Sequence, residues 1–319
     1  MKSVYSHAQV VIHFHPERLS TKGQSVAEAL LQEGVYKSQF VTGLSSGSPT
    51  AFPGGERDLW EQHLFGGAYH SAGVSLADRP KYGALEIMYH PDCASTRFGS
   101  CYFVLCPAVS KRSTYTFGGS QEEDALERTG TLSAMESVMA AIFSEVEKGH
   151  GALGVDNLTV TDLLAQLTHG LSNPSRDPSA RPLGRALDSF IEAQIHGRVS
   201  LRDDVERLVA DPSFRGGPIG DVLVVIGVNY KIPLSWHPGF ILPVAEVPDY
   251  FRGFAVKRLA QRIAGQGILD AAKIGIAANS LQQEPEAWKE WGAYSDILTQ
   301  FRRLWHVLVL YGVPNKAVQ

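Results

Sequence analysis

Residues 191–197 read Ile-Glu-Ala-Gln-Ile-His-Gly, and this run is the most informative stretch of the chain. Polar and apolar residues alternate in it, as in a β-strand whose successive side chains point to opposite faces. We therefore expect Glu192, Gln194 and His196 on one face and the three aliphatic residues on the other. A carboxylate held at a strand edge beside an amide is suited to stabilising a developing cation. Because an ordinary edge strand with a solvated polar face has the same pattern, the function must be argued from the rest of the chain.

The composition describes a globular protein that is long enough to bury a full core. Of the 319 residues, 44% are hydrophobic and 19% are charged. The formal net charge of -4 gives no bias toward nucleic acid or anionic lipid, so we expect neither nucleic acid nor a membrane as partner. The three cysteines lack the spacing of a disulfide framework or a zinc site. Residues 1–15 carry polar residues among their hydrophobic ones, and we expect no signal peptide there.

Hydrophobic periodicity predicts a strand-rich middle of the chain and a helical C-terminal part. Helices are expected at residues 25–39, 59–65, 131–148, 161–169, 203–209, 253–264, 269–278 and 293–310. Strands are expected at residues 8–15, 82–89, 100–106, 191–197, 222–228 and 240–247. Residues 45–55 and 172–184 are rich in Gly, Ser and Pro and are predicted as loops, the second of which leads toward Glu192.

Several polar clusters have residue types that suit ligand binding. Residues 36–47 combine hydroxyls, an amide and a lysine with glycines, which let a backbone approach phosphate oxygens closely. Residues 54–60 and 65–70 pair glycines with aromatic residues, as in a loop packed against a planar ligand. Residues 79–85 and 97–105 each place a cation and an aromatic residue at the start of a predicted strand. Each cluster is also compatible with ordinary packing.

Three other kinds of function stay open from the residues alone. His13 and His15 lie two residues apart on a predicted strand and would share a face, as the ligands of a metal-dependent hydrolase could. A non-catalytic interaction protein would use the aromatic C-terminal region with Trp288, Trp291 and Trp305 as its surface. A nucleophilic Cys101 is less attractive, because a cysteine among apolar strand residues is usually buried and inert.

Taken in order, the clusters resemble a bacterial family, the CteC-type mono-ADP-ribosyltransferase effectors, long known only as a domain of unknown function. These effectors modify a threonine of ubiquitin. The resemblance spans residues 13–278 and rests on the combination of motifs at residues 13–16, 36–47, 54–60, 65–70, 79–85, 97–105, 191–197, 211–214 and 236–240.

The resemblance implies an α+β fold whose ADP-ribosyltransferase-like core, split into two sheets and surrounded by helices, holds NAD in a cleft. It implies one such domain over residues 1–319, in which residues 222–319 either form a partner-recognition extension or complete the same core. It further implies a secreted virulence factor, delivered by a bacterium into the host cytoplasm, with NAD and ubiquitin as partners. The absence of a Rossmann glycine fingerprint agrees with such a fold.

The resemblance also assigns roles to residues. Glu192 would be the catalytic carboxylate that stabilises the oxocarbenium-like ribose left by nicotinamide, and Gln194 would orient the ribose or the acceptor, with His196 a weaker candidate. Lys37 and Arg97 would contact the NAD phosphates. The remaining residues of the NAD pocket would be His13, Ser38, Gln39, Thr42, Gly43, Gly99 and Ser100. No metal site is implied.

Two positions depart from the expected pattern. Lys37 stands where an arginine is expected after the tyrosine, and it keeps the charge but lacks the bidentate fork that grips a diphosphate. Phe190 stands where arginine-modifying toxins carry Glu or Gln two residues before the catalytic glutamate. The second departure favours a hydroxyl acceptor over an arginine acceptor.

Overall fold

A computed structural model describes residues 2–44, 50–172 and 182–315 of the chain. Its strands are β1 (Gln9–Phe14), β2 (Val35–Tyr36), β3 (Lys81–Glu86), β4 (Cys101–Leu105), β5 (Ser113–Phe117), β6 (Thr129–Thr131), β7 (Ile191–Ile195), β8 (Val199–Ser200), β9 (Val205–Ala210), β10 (Leu234–Trp236), β11 (Leu242–Pro243) and β12 (Ile268–Leu269). Its α-helices are α1 (Lys2–His7), α2 (Val26–Glu33), α3 (Gln39–Thr42), α4 (Glu56–Leu64), α5 (Pro107–Lys111), α6 (Glu136–Glu147), α7 (Val160–Thr168), α8 (Leu201–Asp204), α9 (Pro218–Tyr230), α10 (Val256–Ala264), α11 (Ala271–Gln283) and α12 (Tyr294–Tyr311).

The protein is an α+β fold built on one mixed sheet of eight strands in the order β10-β9-β4-β1-β3-β7-β5-β6. Neighbouring strands are antiparallel except for β9 and β10. Strands β2 with β8 and β11 with β12 form two small additional sheets. The expected division of the core into two sheets is thus met only in part, because eight of the strands form one continuous hydrogen-bonded sheet. The likeness to an ADP-ribosyltransferase core stays a prediction.

The strand that carries Glu192 lies inside the sheet rather than at its edge. Strand β7 pairs on one side with β3, where Ala84 faces Glu192, and on the other with β5, where Thr116 faces Glu192. The alternation read from the sequence is confirmed, since Ile191, Ala193 and Ile195 all lie in the main hydrophobic cluster. The expectation of a strand edge was wrong, because the sequence of β7 does not show that two further strands flank it.

The two faces of the sheet differ in how they are covered. The main hydrophobic cluster occupies one face and includes residues from Val4 in α1 to Val309 in α12. The opposite face carries a smaller cluster that includes Val11, Ala84 and Tyr102. Register places Glu192 opposite Ala84 and Ala84 opposite Val11, so Glu192 lies on this second face. A face with less apolar cover leaves space for a cavity above it.

Some predicted elements differ from the observed ones. Residues 203–209 were expected to be helical but mostly form β9, because pairing with β4 and β10 overrides the local charge spacing. Residues 222–228 were expected to be a strand but lie in α9, which has Pro218 at its first position, where proline favours a helix start. This helix contacts α2 through a hydrogen bond of 2.7 Å from the Tyr230 hydroxyl to the Leu31 carbonyl. The run 240–247 contains only β11 and a short 3₁₀ turn.

Element ends explain two further differences. A helix was expected over residues 25–39, but α2 ends at Glu33 because Gly34 adopts φ 65°, a left-handed C-cap. The helix expected from residue 131 begins only at Glu136, since Thr131 belongs to β6. Strands β5 and β10 were not predicted at all. The predicted loops fall largely on residues 45–49 and 173–181, which lie outside the described residues.

Within the described part of the chain, no helix is both long enough and apolar enough to span a bilayer.

Candidate active site

A cavity of about 480 Å³ opens above the second face of the sheet. This volume lies within the range of small-molecule sites. Of the predicted site residues, those that line the cavity are His13, Lys37, Gln39, Thr42, Arg97 and Glu192. Those that do not line it are Gln194, Ser38, Gly43, Gly99 and Ser100. The structure therefore brings about half of the predicted residues to one place, including the predicted catalytic carboxylate.

Glu192 is a buried carboxylate fixed by two hydrogen-bond donors. Its Oε1 accepts a hydrogen bond from Nε2 of Gln194 at 2.9 Å and another from the backbone N–H of Ser120 at 3.2 Å. The side chain is only 6% exposed, yet it reaches the cavity wall. Two donors at one oxygen fix the orientation of the carboxylate, as required of a group that must face a charge developing on a substrate.

Gln194 is fully buried and holds Glu192 in place through its hydrogen bond. Its Oε1 accepts a hydrogen bond from the hydroxyl of Thr114 at 2.8 Å, while its Nε2 also donates to the hydroxyl oxygen of Thr116 at 3.1 Å. Both threonines come from the adjacent strand β5. These contacts orient the amide so that one N–H donates to Glu192 and the other to Thr116. Gln194 therefore holds the carboxylate and does not line the cavity itself.

His196 extends this arrangement away from the cavity. Its Nε2 lies 3.1 Å from the Thr114 hydroxyl oxygen and its Nδ1 lies 2.5 Å from the Tyr69 hydroxyl. Burial, with Arg112 and Lys81 nearby, lowers the pKa of His196, so the neutral ring is favoured. Since Thr114 gives its proton to Gln194, Nε2 of His196 must donate to Thr114 and Nδ1 must accept from Tyr69. Burial raises the pKa of Tyr69 to about 12, so the phenol keeps the proton that it donates.

Both cations that were predicted to contact phosphates line the cavity, and both are engaged by carboxylates. Nζ of Lys37 lies 2.5 Å from a carboxylate oxygen of Glu33. Nη1 of Arg97 donates to the backbone carbonyl of Leu187 at 2.8 Å and to Asp188 at 2.5 Å. Lys37 would have to share or exchange its partner in order to bind a phosphate, whereas Nε of Arg97 has no hydrogen-bond partner among the described residues.

Two arginines outside the set of predicted site residues also line the cavity. Arg18 follows β1 and Arg302 lies on α12, about 280 residues further along the chain. Burial, followed by the like charges of Arg303, Arg18 and Arg97, lowers the pKa of Arg302. Because these cations lie close enough to repel one another, that wall of the cavity has a positive potential that favours anionic ligands. No local pattern in the sequence signals this grouping.

Helix α4 adds a further arginine and an aromatic ring to the cavity, and β3 adds a second ring. Glu56 and Asp58 in its first turn favour the helix start at Gly55. Residues three apart share a helix face, so Arg57 and Trp60 both reach the cavity. The Arg57 guanidinium lies over the ring of Tyr82 on β3, 4.2 Å from its centroid, and 5.3 Å from that of Trp60.

A buried ionic network anchors this aromatic pair. The Tyr82 hydroxyl donates to Glu61 at 2.7 Å, and Arg79 donates to Glu61 at 2.8 Å and to Asp58 at 2.5 Å. Arg79 is the cation of the predicted cluster at residues 79–85 and was a candidate for pairing with a phosphate. Its guanidinium is instead committed to the two carboxylates of α4, so its role in the structure is to tie α4 to the sheet.

A family model described as "Protein of unknown function (DUF3626)" matches residues 9–311. The chain belongs to this family. No curated protein matches the chain. The matched region contains every cavity residue named above, so the cavity belongs to the family's own fold unit. Membership in DUF3626 supplies no activity, and the function must be argued from the site.

In this DUF3626 chain, the histidine pair is not arranged as a metal centre. Nδ1 of His13 lies 3.0 Å from the Gly99 carbonyl oxygen, and the ring packs against Tyr102 with 4.9 Å between centroids. His15 contacts Glu17 at 3.4 Å and the ring of Trp305. Among the described residues, no group of three or more His, Cys, Asp or Glu side chains could hold a metal ion.

The predicted pocket residues that lie outside the cavity have packing and backbone contacts instead. The buried Ser38 hydroxyl donates to the Leu76 carbonyl at 2.7 Å, and Gly43 forms the left-handed C-cap of α3. Gly99 is packed against the Phe14 backbone, and a Cβ there would lie 2.3 Å from the Phe14 carbonyl carbon. Ser100 is buried and its carbonyl accepts from His237.

The two remaining alternatives concern side chains that prove to be buried or half-buried. Cys101 is fully buried, and burial raises the pKa of its thiol well above its ordinary value, which disfavours the reactive thiolate. Trp288 and Trp305 are also buried in the core and cannot form an exposed binding surface, while Trp291 is half-buried and packs against the same core.

Proposed function

We propose that this protein is an NAD-dependent mono-ADP-ribosyltransferase that transfers ADP-ribose to a hydroxyl group, the threonine hydroxyl of ubiquitin, and releases nicotinamide. One observation carries the proposal. The oriented carboxylate of Glu192 lies in the wall of the same cavity that is lined by the arginine group of Arg18, Arg97 and Arg302. NAD needs both features, since it combines an anionic diphosphate with a ribose that becomes cationic during transfer.

The carboxylate suits the bond-breaking step. The bond between the ribose anomeric carbon and the nicotinamide nitrogen breaks, and the electron pair leaves with nicotinamide. The positive charge that develops on the ribose is stabilised by Glu192, whose Oε2 remains available for a ribose hydroxyl because the two protein donors bind Oε1. The Glu192 carboxylate thus acts where the charge appears in the transition state.

The positive wall suits substrate capture. Arg18, Arg97 and Arg302 create a potential that attracts the diphosphate, independently of which side chain finally bonds to it. The aromatic ring of Trp60 adds a flat surface on which a planar base can pack, whereas the ring of Tyr82 is covered by the Arg57 guanidinium.

The acceptor assignment depends on Phe190 and on the resemblance to the CteC-type effectors. Phe190 lies in the cavity wall and packs edge-on against Phe98, 5.4 Å between centroids. An apolar ring offers no acceptor for a guanidinium, which favours a hydroxyl acceptor. The acceptor oxygen forms the new bond to the anomeric carbon and its proton passes to a base, either Glu192 or water. Ubiquitin as the acceptor, the effector role and delivery to a host cytoplasm come from the resemblance alone.

The test is the intact mass of ubiquitin after incubation with the protein and NAD. We expect a gain of one ADP-ribose unit with the wild-type protein and a loss of transfer of at least about 100-fold with Glu192→Gln, the scale found when a transition-state contact is removed. Glu147→Gln, at an exposed helix end, is the matched control and should transfer normally.

The outcomes separate the parts of the proposal. Nicotinamide release without a mass gain would keep the NAD chemistry and reject ubiquitin as acceptor. Intact NAD and unmodified ubiquitin would overturn the proposal, and full activity of Glu192→Gln would remove Glu192 from the chemistry.

A further inference from the structure

Arg57 is a buried guanidinium with unused hydrogen-bonding capacity. The residue is 7% exposed and lines the cavity. Among the described residues, neither its Nε nor its Nη1 has a hydrogen-bond partner. The rings of Tyr82 and Trp60 hold the group in place at 4.2 Å and 5.3 Å. Buried donors of a charged group are costly when unsatisfied, so their presence at a cavity wall indicates that a ligand satisfies them.

The charge of Arg57 is retained despite its burial. Burial acts to lower the pKa of Arg57, but the nearby Tyr82 and Glu192 outweigh it, and the pKa lies above its ordinary value. The group therefore offers two charged N–H donors of fixed orientation. Such charged donors match anionic oxygen acceptors, above all those of a phosphate.

The other two cations that were expected to contact phosphate are less available. Lys37 is paired with Glu33, and Arg97 with Asp188 and the Leu187 carbonyl. Binding a phosphate at Lys37 would require its contact to be shared or broken, and Arg97 has only its Nε without a partner among the described residues, where Arg57 has two such donors. Arg57 needs no such exchange, because its Nε and Nη1 have no partner to give up within the described parts of the chain.

We infer that Arg57 makes the principal direct contact with the NAD diphosphate, ahead of Lys37 and Arg97. This inference rests on the proposed function. Arg57 lies close enough to Glu192 for the two charges to interact. The ribose that Glu192 would contact is joined through its 5′ oxygen to the diphosphate, so a cation near this carboxylate meets a phosphate. The group of Arg18, Arg97 and Arg302 then supplies attraction at longer range.

The experiment is calorimetric titration with ADP-ribose and, separately, with adenosine, which has no phosphate. We expect Arg57→Gln to weaken ADP-ribose binding by about 10- to 100-fold, the usual effect of losing a charged hydrogen bond, and to leave adenosine binding unchanged. Arg57→Lys should recover only part of the affinity, because an ammonium group restores the charge without the planar set of guanidinium donors. Lys37→Gln and Arg97→Gln should each weaken ADP-ribose binding less than Arg57→Gln does.

Arg262→Gln is the matched control. Arg262 also lies over two aromatic rings, those of Trp288 at 4.2 Å and Trp291 at 5.6 Å, but it does not line the cavity. It should bind both probes as the wild type does. Unchanged ADP-ribose affinity in Arg57→Gln, or an equal loss for adenosine, would overturn the inference while leaving the transferase proposal intact. Failure of the wild-type protein to bind ADP-ribose would overturn both.

Discussion

Gln194 donates its side-chain amide to Oε1 of Glu192 across 2.9 Å, from a position two residues further along the same strand. The pair faces one side of β7, and β7 is hydrogen-bonded along both edges. The carboxylate is therefore oriented by the sheet itself.

Removing the amide should impair catalysis more than binding. In Gln194→Leu, Glu192 keeps only the Ser120 N–H as donor, and we expect kcat to fall by about 100-fold, as a small misplacement of a reacting group does. The KM for NAD should change by less than threefold, since Gln194 does not line the cavity. Steady-state nicotinamide release gives both constants. A purely structural role would instead lower the melting temperature and leave kcat per folded molecule unchanged.

The ion pairs beneath the cavity should matter more for stability than any surface pair. Arg79→Met leaves the buried Glu61 and Asp58 without their cation, and breaking such a pair costs about 3–5 kcal/mol of unfolding free energy. Urea unfolding measures the change. Lys148→Met, which removes an exposed pair with Glu145, is the control and should have little effect. Equal effects of the two variants would contradict the buried role of Arg79.

Lys81 should make the free energy of unfolding depend on pH in the alkaline range. Its ammonium group donates to the carbonyls of Ala77 and Gly197, and burial lowers its pKa to about 8 from 10.5. Between these two values the unfolded chain binds the proton more tightly than the folded protein, so raising the pH favours folding. Relative to Lys81→Met, the wild type should therefore gain stability from about pH 8 to about pH 10.5.

The size of this gain should be about 1–2 kcal/mol, because one pKa unit corresponds to about 1.4 kcal/mol and partial solvation reduces the effect. Denaturant unfolding of both proteins at a series of pH values measures it as a difference, which cancels the other titrating groups. A difference that stays flat across this range would show that the pKa of Lys81 is not lowered.

Gly99 should be sensitive to a single added methyl group. A Cβ at this position would lie 2.3–2.4 Å from backbone atoms of Phe14, so Gly99→Ala must push the segment before β4 away from β1. We expect a loss of about 1–3 kcal/mol of stability from overpacking. It should also disturb the contact between His13 and the Gly99 carbonyl, and hence the cavity.

Gly43→Ala is the comparison for this prediction. Gly43 has φ 65° and nothing within 4 Å of an added Cβ, so it should lose only about 1 kcal/mol through backbone strain. Chemical denaturation of both variants tests the contrast. A Gly99→Ala protein as stable as the wild type would show that β1 and the segment before β4 can separate without cost.

The part of the site that lies within one strand could be predicted from the sequence. Alternation alone places Glu192 and Gln194 on one face, and their hydrogen bond follows from that period of two. The cavity wall could not be predicted in the same way. Arg18 and Arg302 approach each other only because α12 folds back over the region after β1, and a single sequence carries no signal of that distance.

The secondary structure shows the same limit. Strand β1 and helix α12 were predicted close to their observed positions because their patterns are long and regular. The prediction failed where tertiary contacts determine the secondary structure. Strand β9 is stabilised by pairing with its two neighbouring strands, and α9 contains a run of valines that is also typical of a strand. The cluster at residues 54–60, which includes the first residues of α4, was predicted from the sequence. That Nε and Nη1 of Arg57 lack hydrogen-bond partners among the described residues follows only from the three-dimensional structure.

The donors that run from Tyr69 through His196, Thr114 and Gln194 to Glu192 all point the same way, with each proton directed toward the carboxylate. An amide does not ionise, so Gln194 interrupts any relay of protons along this row. Protons therefore cannot leave Glu192 along this row. In a transferase with a hydroxyl acceptor, we expect the proton that the acceptor releases to depart through the cavity opening, so its escape would depend on whether the bound acceptor leaves that opening accessible to water.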